Sequence, residues 1–423
     1  MKMHAVFCFF AARRYWKEED KLREVYDALC RETADLAEEQ HLITEPGDLE
    51  RVAPGRVLVA VPMSGAVQSM ILAAAEKSAY TVLLAGYVEG CFPPECTAGM
   101  LACNAAPTVM DCWAVLRRSG RTLLAVNQAE LERGVRVAEA CRSLREAKLL
   151  MIGAPEPWVI SVSRDWKRYT ELLGVTVEQV EQRALEECYR RVSDREAEEF
   201  LAPIRQGASE IREPTPSDLL EAGRMGRALE RLLEEHGADG AAVACFSLLS
   251  TGTTTCLGVS AVNDSADQVA ACEGDLDSAC TMLLMKRLAS TKPWMANPSL
   301  QKDGTVSFSH CTAPLCVKGA PCPYLLRSHH ESGIGVSPQV ELPMDGVVTA
   351  CRFSSATGQM TVQLATPVEG PREPTCRTQL RVRWNDPEGY LRTSLGCHQV
   401  FAFEDLSAPL RQAAALLGLE VLE

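Results

Sequence analysis

One carboxylate, one carboxamide and two imidazoles are the side chains whose types and spacing could do chemistry together in this sequence. Glu273 lies in Ala271-Cys-Glu-Gly-Asp-Leu-Asp and Asn297 in Met295-Ala-Asn-Pro-Ser. His310 follows in Ser309-His-Cys-Thr and His398 in Gly396-Cys-His-Gln-Val. Each sits near the end of a strand-like run. Oxygen and imidazole ligands of this kind suit a divalent metal ion, and open coordination positions would let such a site hold a polyol. Asn297 is the odd member, because it stands where that chemistry prefers a carboxylate.

Each residue also has an ordinary reading. Glu273 follows a buried apolar run and precedes a helical stretch. It is either a ligand or an acceptor for N–H groups of the next turn, and ligands gather at the carboxyl ends of strands in open α/β sheets. Asp275 stands where an N-cap belongs, and Asp277 where a helix dipole favours an acid. His310 shares a strand face with Val306 and Phe308, as a satisfied core histidine would. His329-His330-Glu331 runs into Ser332-Gly-Ile-Gly, a polar turn in which His330 and Glu331 are candidate substrate contacts, as is Asp275. Thr251-Gly-Thr-Thr-Thr lacks the lysine and spacing of a phosphate-binding loop.

A scaffold must bring these scattered residues together. Apolar runs at 5–11, 57–62, 81–85, 122–126 and 148–153 alternate with helical patterns at 14–40, 65–77, 94–104, 109–119 and 128–147. That rhythm implies a parallel sheet covered by helices. It resumes more weakly after a break at Gly153-Ala-Pro-Glu-Pro-Trp, read as a hinge. A strand at 175–177 comes first, then helices over about 177–206 and 216–236, strands at 241–246 and 269–272, and a helix over 276–289. Beyond 290 the pattern changes to short strands at 305–310, 347–353, 359–365, 378–384 and 398–403, separated by Gly, Pro and Asp turns. This reads as an antiparallel, barrel-like domain, closed by a helix at 406–417. The expected division is therefore an α/β domain over 1–153, a second α/β domain over 154–289 carrying Glu273, and a β-rich domain over 290–423 carrying His310 and His398.

Composition narrows the class. The chain has 423 residues, 47% of them hydrophobic and 23% charged, which is ordinary for a globular protein of more than one domain. Its net charge of −13 argues against nucleic acid as a partner, since a phosphate-binding face needs clustered Lys and Arg. The apolar start, 5–12, is followed by a charged helix and reads as a buried strand rather than a signal peptide. No apolar run approaches the ~20 residues needed to span a bilayer. Eighteen cysteines form no C-x-x-C pair, and several lie inside apolar runs, which fits a reducing cytoplasm better than a disulfide framework.

Three stretches together resemble the L-fucose isomerase and L-arabinose isomerase superfamily, in particular its shorter fucose isomerase-like members. They are Ala271-Cys-Glu-Gly-Asp-Leu-Asp-Ser-Ala-Cys-Thr-Met-Leu-Leu, the segment from Met295-Ala-Asn-Pro-Ser to Ser309-His-Cys-Thr-Ala-Pro, and Gly396-Cys-His-Gln-Val with the helix after it. Leu326-Arg-Ser-His-His-Glu-Ser-Gly-Ile-Gly-Val and Ile152-Gly-Ala-Pro-Glu-Pro-Trp are similar as well. The resemblance covers 240–423 well and 1–239 weakly. It implies two Rossmann-like α/β domains before a β-rich one, and a homo-oligomer (trimer or hexamer) with active sites shared between subunits. It also implies aldose–ketose isomerisation with Mn²⁺ or a similar ion. By position Glu273 resembles the first carboxylate ligand, His398 the ligand histidine, and His310 a histidine near metal or substrate. Asn297 falls at the second carboxylate, a departure that removes a negative charge and a base; Glu273 would then serve alone, or Asp275, Glu331 or His310 would replace the missing group. Asp303 is the alternative partner if the correspondence is shifted by a few residues.

Overall fold

The computed structural model describes residues 5–87, 91–384 and 386–422. Two compact units emerge. One runs to Ser143 and takes in Pro409–Leu419; the other comprises Leu144–Ala408 with the chain end. The stretches 154–289 and 290–408, expected as parts of separate domains, thus share one unit, and the last helix belongs with the first unit.

In the first unit, β1 (Ala5–Phe10), β2 (Ala37–Ile43), β3 (Val57–Pro62), β4 (Tyr80–Leu84) and β5 (Thr122–Ala125) form a parallel sheet in the order β2-β1-β3-β4-β5. Every residue of β1, β3 and β4 is buried, the pattern of parallel strands covered on both faces. One expectation fails here. The helix read over 14–40 is Glu19–Glu32, and 37–43 pairs in parallel with β1 as an edge strand. Ala37-Glu-Glu-Gln are helix formers, so nothing local stops the helix. Backbone pairing with β1 decides, helped by Tyr26, which donates to the Gln40 carbonyl at 3.1 Å.

The second unit begins with β6 (Lys148–Ile152), β7 (Thr176–Val180), β8 (Glu210–Ile211), β9 (Gly240–Val243) and β10 (Val269–Ala271). Four of these form a parallel sheet in the order β10-β9-β6-β7. The helical stretch read over 177–206 is broken in two, Gln182–Arg191 and Asp194–Gly207, because Ser193 caps the second helix reciprocally with Glu196.

The remaining strands pair antiparallel with one another, and β13 also pairs in parallel with β8: β11 (Trp294–Leu300), β12 (Thr305–His310), β13 (Tyr324–Arg327), β14 (Ser337–Val340), β15 (Val348–Ser354), β16 (Gln359–Pro367), β17 (Thr378–Arg383) and β18 (Gln399–Ala402). Six of them close into a barrel in the order β15-β18-β11-β12-β17-β16, with β16 returning to β15. Phe308 and Phe401 meet edge to face at 4.6 Å in its core beside Trp294, Leu380 and Val382. The last strand, β19 (Glu420–Leu422), lies parallel to β16. β11 was not legible because Asn297-Pro298 reads as a break. Pro298 falls in the half of β11 that has β12 as its only strand neighbour, where a residue without an N–H is tolerated.

One element joins sheet and barrel. Helix Leu276–Leu288 contacts β9 and β10 on one side and β15 and β18 on the other, so nearly all its residues are buried. The turn that opens this helix carries Glu273.

Candidate metal centre

Glu273 emerges from β10 in an unfavourable backbone state. Its φ is 59° and that of Gly274 is 67°. A left-handed conformation at a non-glycine residue costs of order 1–3 kcal/mol and collects at functional sites. Here the surroundings impose it. Gly274 N–H donates to Val243 O at 2.9 Å, and Glu156 N–H donates to Glu273 O at 3.0 Å. A Cβ at Gly274 would lie 2.5 Å from Pro155 Cα, so only glycine lets the 153–158 loop approach.

The strained turn aims the carboxylate at two imidazoles. Glu273 Oε1 lies 3.4 Å from His398 Nε2 and 3.7 Å from His310 Nε2. The two rings stand 5.5 Å apart at 65°. One ligand atom from each of the three residues lies within 4.8 Å of the other two, so this buried group could hold a metal ion. His310 ends β12 and His398 immediately precedes β18, so the barrel fixes both.

The partners of the two histidines differ. His310 Nδ1 meets Thr312 Oγ1 at 3.0 Å. His398 Nδ1 meets Asp275 Oδ2 at 2.8 Å, and its Nε2 is fully buried with no hydrogen-bond partner. With Asp275 accepting from Nδ1, the Nε2 lone pair of a neutral His398 faces a carboxylate oxygen, and a cation between them resolves the conflict. Protonation of His398 is the other way to meet that carboxylate. Burial alone would raise the Glu273 pKa, yet the neighbouring His310 and His398 hold it well below the usual carboxylate range. Burial would lower the His398 pKa, and Asp275 reverses that strongly.

Asp275 does two jobs. Its Oδ1 accepts the Ser278 N–H at 2.8 Å as the helix cap expected from sequence. Its Oδ2 takes His398 and the guanidinium of Arg352 at 2.9 Å. Arg352 also donates to Ser278 Oγ and His398 O, and both Asp275 and Arg352 are fully buried. Burial opposes ionisation of Asp275, but the Arg352 charge and the His398 bond keep its carboxyl far below the ordinary value. Asp275 thus lies behind His398, with no exposed surface. Asp277, expected on the helix dipole, is also buried. It accepts from Tyr169 Oη at 2.8 Å, and burial pushes its carboxyl up to about 6.

Asn297 is half-buried on β11, the strand between β18 and β12. The register Met295↔Val400, Ala296↔Gln399, carried one residue further, brings Asn297 level with His398. It shares a face with Met295, whose Sδ accepts the Cys272 N–H at 3.3 Å. On its other edge Asn297 pairs with Ser309, next to His310. The alternative, Asp303, accepts from Thr305 on an exposed turn. His330 is half-buried and Glu331 exposed on the 328–334 turn, and neither joins the cluster. Their neighbour His329 packs edge-on against Phe246 at 5.9 Å.

Sequence reasoning missed Trp158 and Arg352. Trp158 donates its indole N–H to Glu273 Oε2 at 2.6 Å. Arg352 had a legible signal: a lone charge inside the apolar run Val348-Thr-Ala-Cys-Arg-Phe-Ser needs a buried acid. No disulfide joins any of the eighteen cysteines, of which Cys272 and Cys311 are chain neighbours of Glu273 and His310.

An open cleft of about 680 Å³ lies elsewhere, beside Glu196, Glu199, Arg227, Glu230 and Asp264. Its charges are already answered by one another, as in the Arg227–Glu230 pair at 3.0 Å. At the Glu273 cluster, by contrast, His398 Nε2 and Arg352 Nε are buried without a hydrogen-bond partner. No protein-family model matches this chain, and no curated protein matches it above the level expected by chance.

Proposed function

We propose that this chain is a metal-dependent ketol isomerase acting on a free or modified sugar. The observation that carries the proposal is the buried Glu273–His310–His398 group with its orphaned Nε2 on His398. The motif resemblance supplies the reaction class. In this reading the two parallel sheets are Rossmann-like domains and the ion is Mn²⁺. The chain works in the cytoplasm as a homo-oligomer, trimer or hexamer, whose neighbouring subunit completes the sugar pocket.

Glu273 would present Oε1 to the ion, His398 its Nε2 and Asn297 its carbonyl oxygen. Bound there, the ion supplies a Lewis acid for the two adjacent oxygens of an open-chain sugar. Asp275 keeps Nδ1 of His398 engaged, so that Nε2 is the ligand atom. Moving the carbonyl between C1 and C2 needs a group that takes the C2 proton and returns it to C1 through a cis-enediol. Asn297 cannot accept that proton. We assign the transfer to His310, whose Nδ1 is braced by Thr312 while Nε2 faces the cluster. A panel of aldoses and ketoses with Mn²⁺, Co²⁺ or Mg²⁺ tests the reading. Turnover with one metal supports it; no turnover with any, together with no metal in the purified protein, sinks it.

Asn297 favours a second reading, a sugar-binding or regulatory protein that keeps the fold without catalysis. Calorimetry would then record sugar binding that is indifferent to a chelator. In the isomerase reading, Asn297→Asp tightens Mn²⁺ binding by about tenfold, or ~1.4 kcal/mol.

A further inference from the structure

Both oxygens of the Glu273 carboxylate are committed, and to different partners. Oε1 faces the imidazole nitrogens at 3.4 and 3.7 Å, while Oε2 accepts the Trp158 indole N–H at 2.6 Å. An indole N–H donates and never accepts, so this bond holds one oxygen without competing as a ligand.

The loop that brings Trp158 here is built rather than loose. Arg164 donates to three carbonyls of that loop, those of Pro155, Glu156 and Val159, at 2.9, 3.4 and 3.1 Å. Glu156 ties it to Glu273 O by its own N–H and accepts the Phe246 N–H at 3.0 Å. Phe246 in turn meets the indole edge to face at 5.0 Å. Trp158 is nevertheless 52% exposed, a large apolar side chain kept at the rim of the buried cluster.

We propose that Trp158 is a positioning residue that splits the Glu273 carboxylate, reserving Oε2 for the indole so that only Oε1 binds the ion. This rests on the metal-site reading above. A carboxylate free at both oxygens can bind in bidentate fashion and occupy two coordination positions. Held at Oε2, it occupies one. A further position then stays open for the second oxygen of a diol, which a site binding adjacent sugar oxygens needs. The same bond pins the carboxylate rotamer on the strained turn at Glu273 before any ion arrives.

The test is titration of Co²⁺ into the full chain, read by visible absorption and by affinity. Compared with wild type are Trp158→Phe and a protein carrying benzothienylalanine at 158, which keeps the indole shape against Phe246 but has no N–H. Losing the N–H lets Glu273 chelate through both oxygens, so coordination number rises and the Co²⁺ absorption weakens. Affinity shifts by about 10–100-fold, the range typical of a group that orients a ligand. Equal spectra and affinities in wild type and the benzothienylalanine protein overturn the role of Trp158 while leaving the metal site standing. A wild type that takes up no Co²⁺ overturns both. A change in Trp158→Phe that the isosteric replacement does not reproduce assigns the effect to packing and also overturns the proposal.

Discussion

The open cleft beside Arg227 and the buried centre at Glu273 are both rich in charge, yet they obey different rules. In the cleft each charge has a solvated partner: Arg231 lies 2.6 Å from Glu196 and Lys292 2.9 Å from Asp264. At Glu273 a carboxylate, two imidazoles, an aspartate and a guanidinium are withdrawn from water, and two nitrogens, His398 Nε2 and Arg352 Nε, have no hydrogen-bond partner. Solvated pairs are worth little and arise freely on surfaces. Buried charges persist only where geometry matches them. Cleft volume and unmatched buried groups thus pick out different places in the molecule.

The strongest way to break this contrast is Asp275→Ala. It leaves Arg352 charged and unpaired with no exposed surface, so stability in denaturant should fall by about 3–5 kcal/mol. A loss below about 1 kcal/mol would mean that the buried network is not what holds the barrel to the helix. Next comes Glu273→Gln. Mn²⁺ binding should weaken by more than the ~10–100-fold expected for an outer partner, with the melting temperature nearly unchanged. Undiminished binding would remove Glu273 from the centre.

A third test uses an ion pair of intermediate character. Glu213 and Arg327 form a two-pronged pair, and the Arg327 bonds lower the Glu213 carboxyl from 4.5 to about 2. Because the folded value is the lower one, this stabilisation is present above pH 4.5 and is lost as pH falls through about 2. The pair is partly exposed, so Glu213→Gln should flatten the acid limb of stability by only ~1 kcal/mol or less. An unchanged limb would show that Glu213 contributes nothing there. The smallest effect belongs to the cleft. Arg227→Ala should shift stability by ~0.5 kcal/mol and leave metal affinity alone. A large change in either would overturn the contrast between the two places.

Much of this was readable from residue types. Continuous apolar runs gave β1, β3, β4 and β6, since strands buried on both faces need no polar residue. Alternating runs located five of the six barrel strands. Glu273, His310 and His398 were chosen on chemistry, and the fold brings them together from 125 residues of chain. What escaped depends on contacts with no local signature. β2 is a strand only because β1 offers it an edge. Trp158 sits in a Pro-rich turn whose path is set by Arg164 and by the missing side chain of Gly274. Asp275 looked like a cap and is one, but the second oxygen that serves His398 cannot be inferred without Arg352.

Closure of the barrel has a mechanical consequence. A ring of strands has no free edge and cannot open by a hinge; changing the separation of two of its members means shearing the register of all six. His310 and His398 are attached to that ring through β12 and β18, whereas Glu273 is attached to the sheet and helix outside it. The imidazole spacing is therefore the stiff coordinate of the centre and the carboxylate the compliant one. Any adjustment to the size of an ion falls on the short turn after β10.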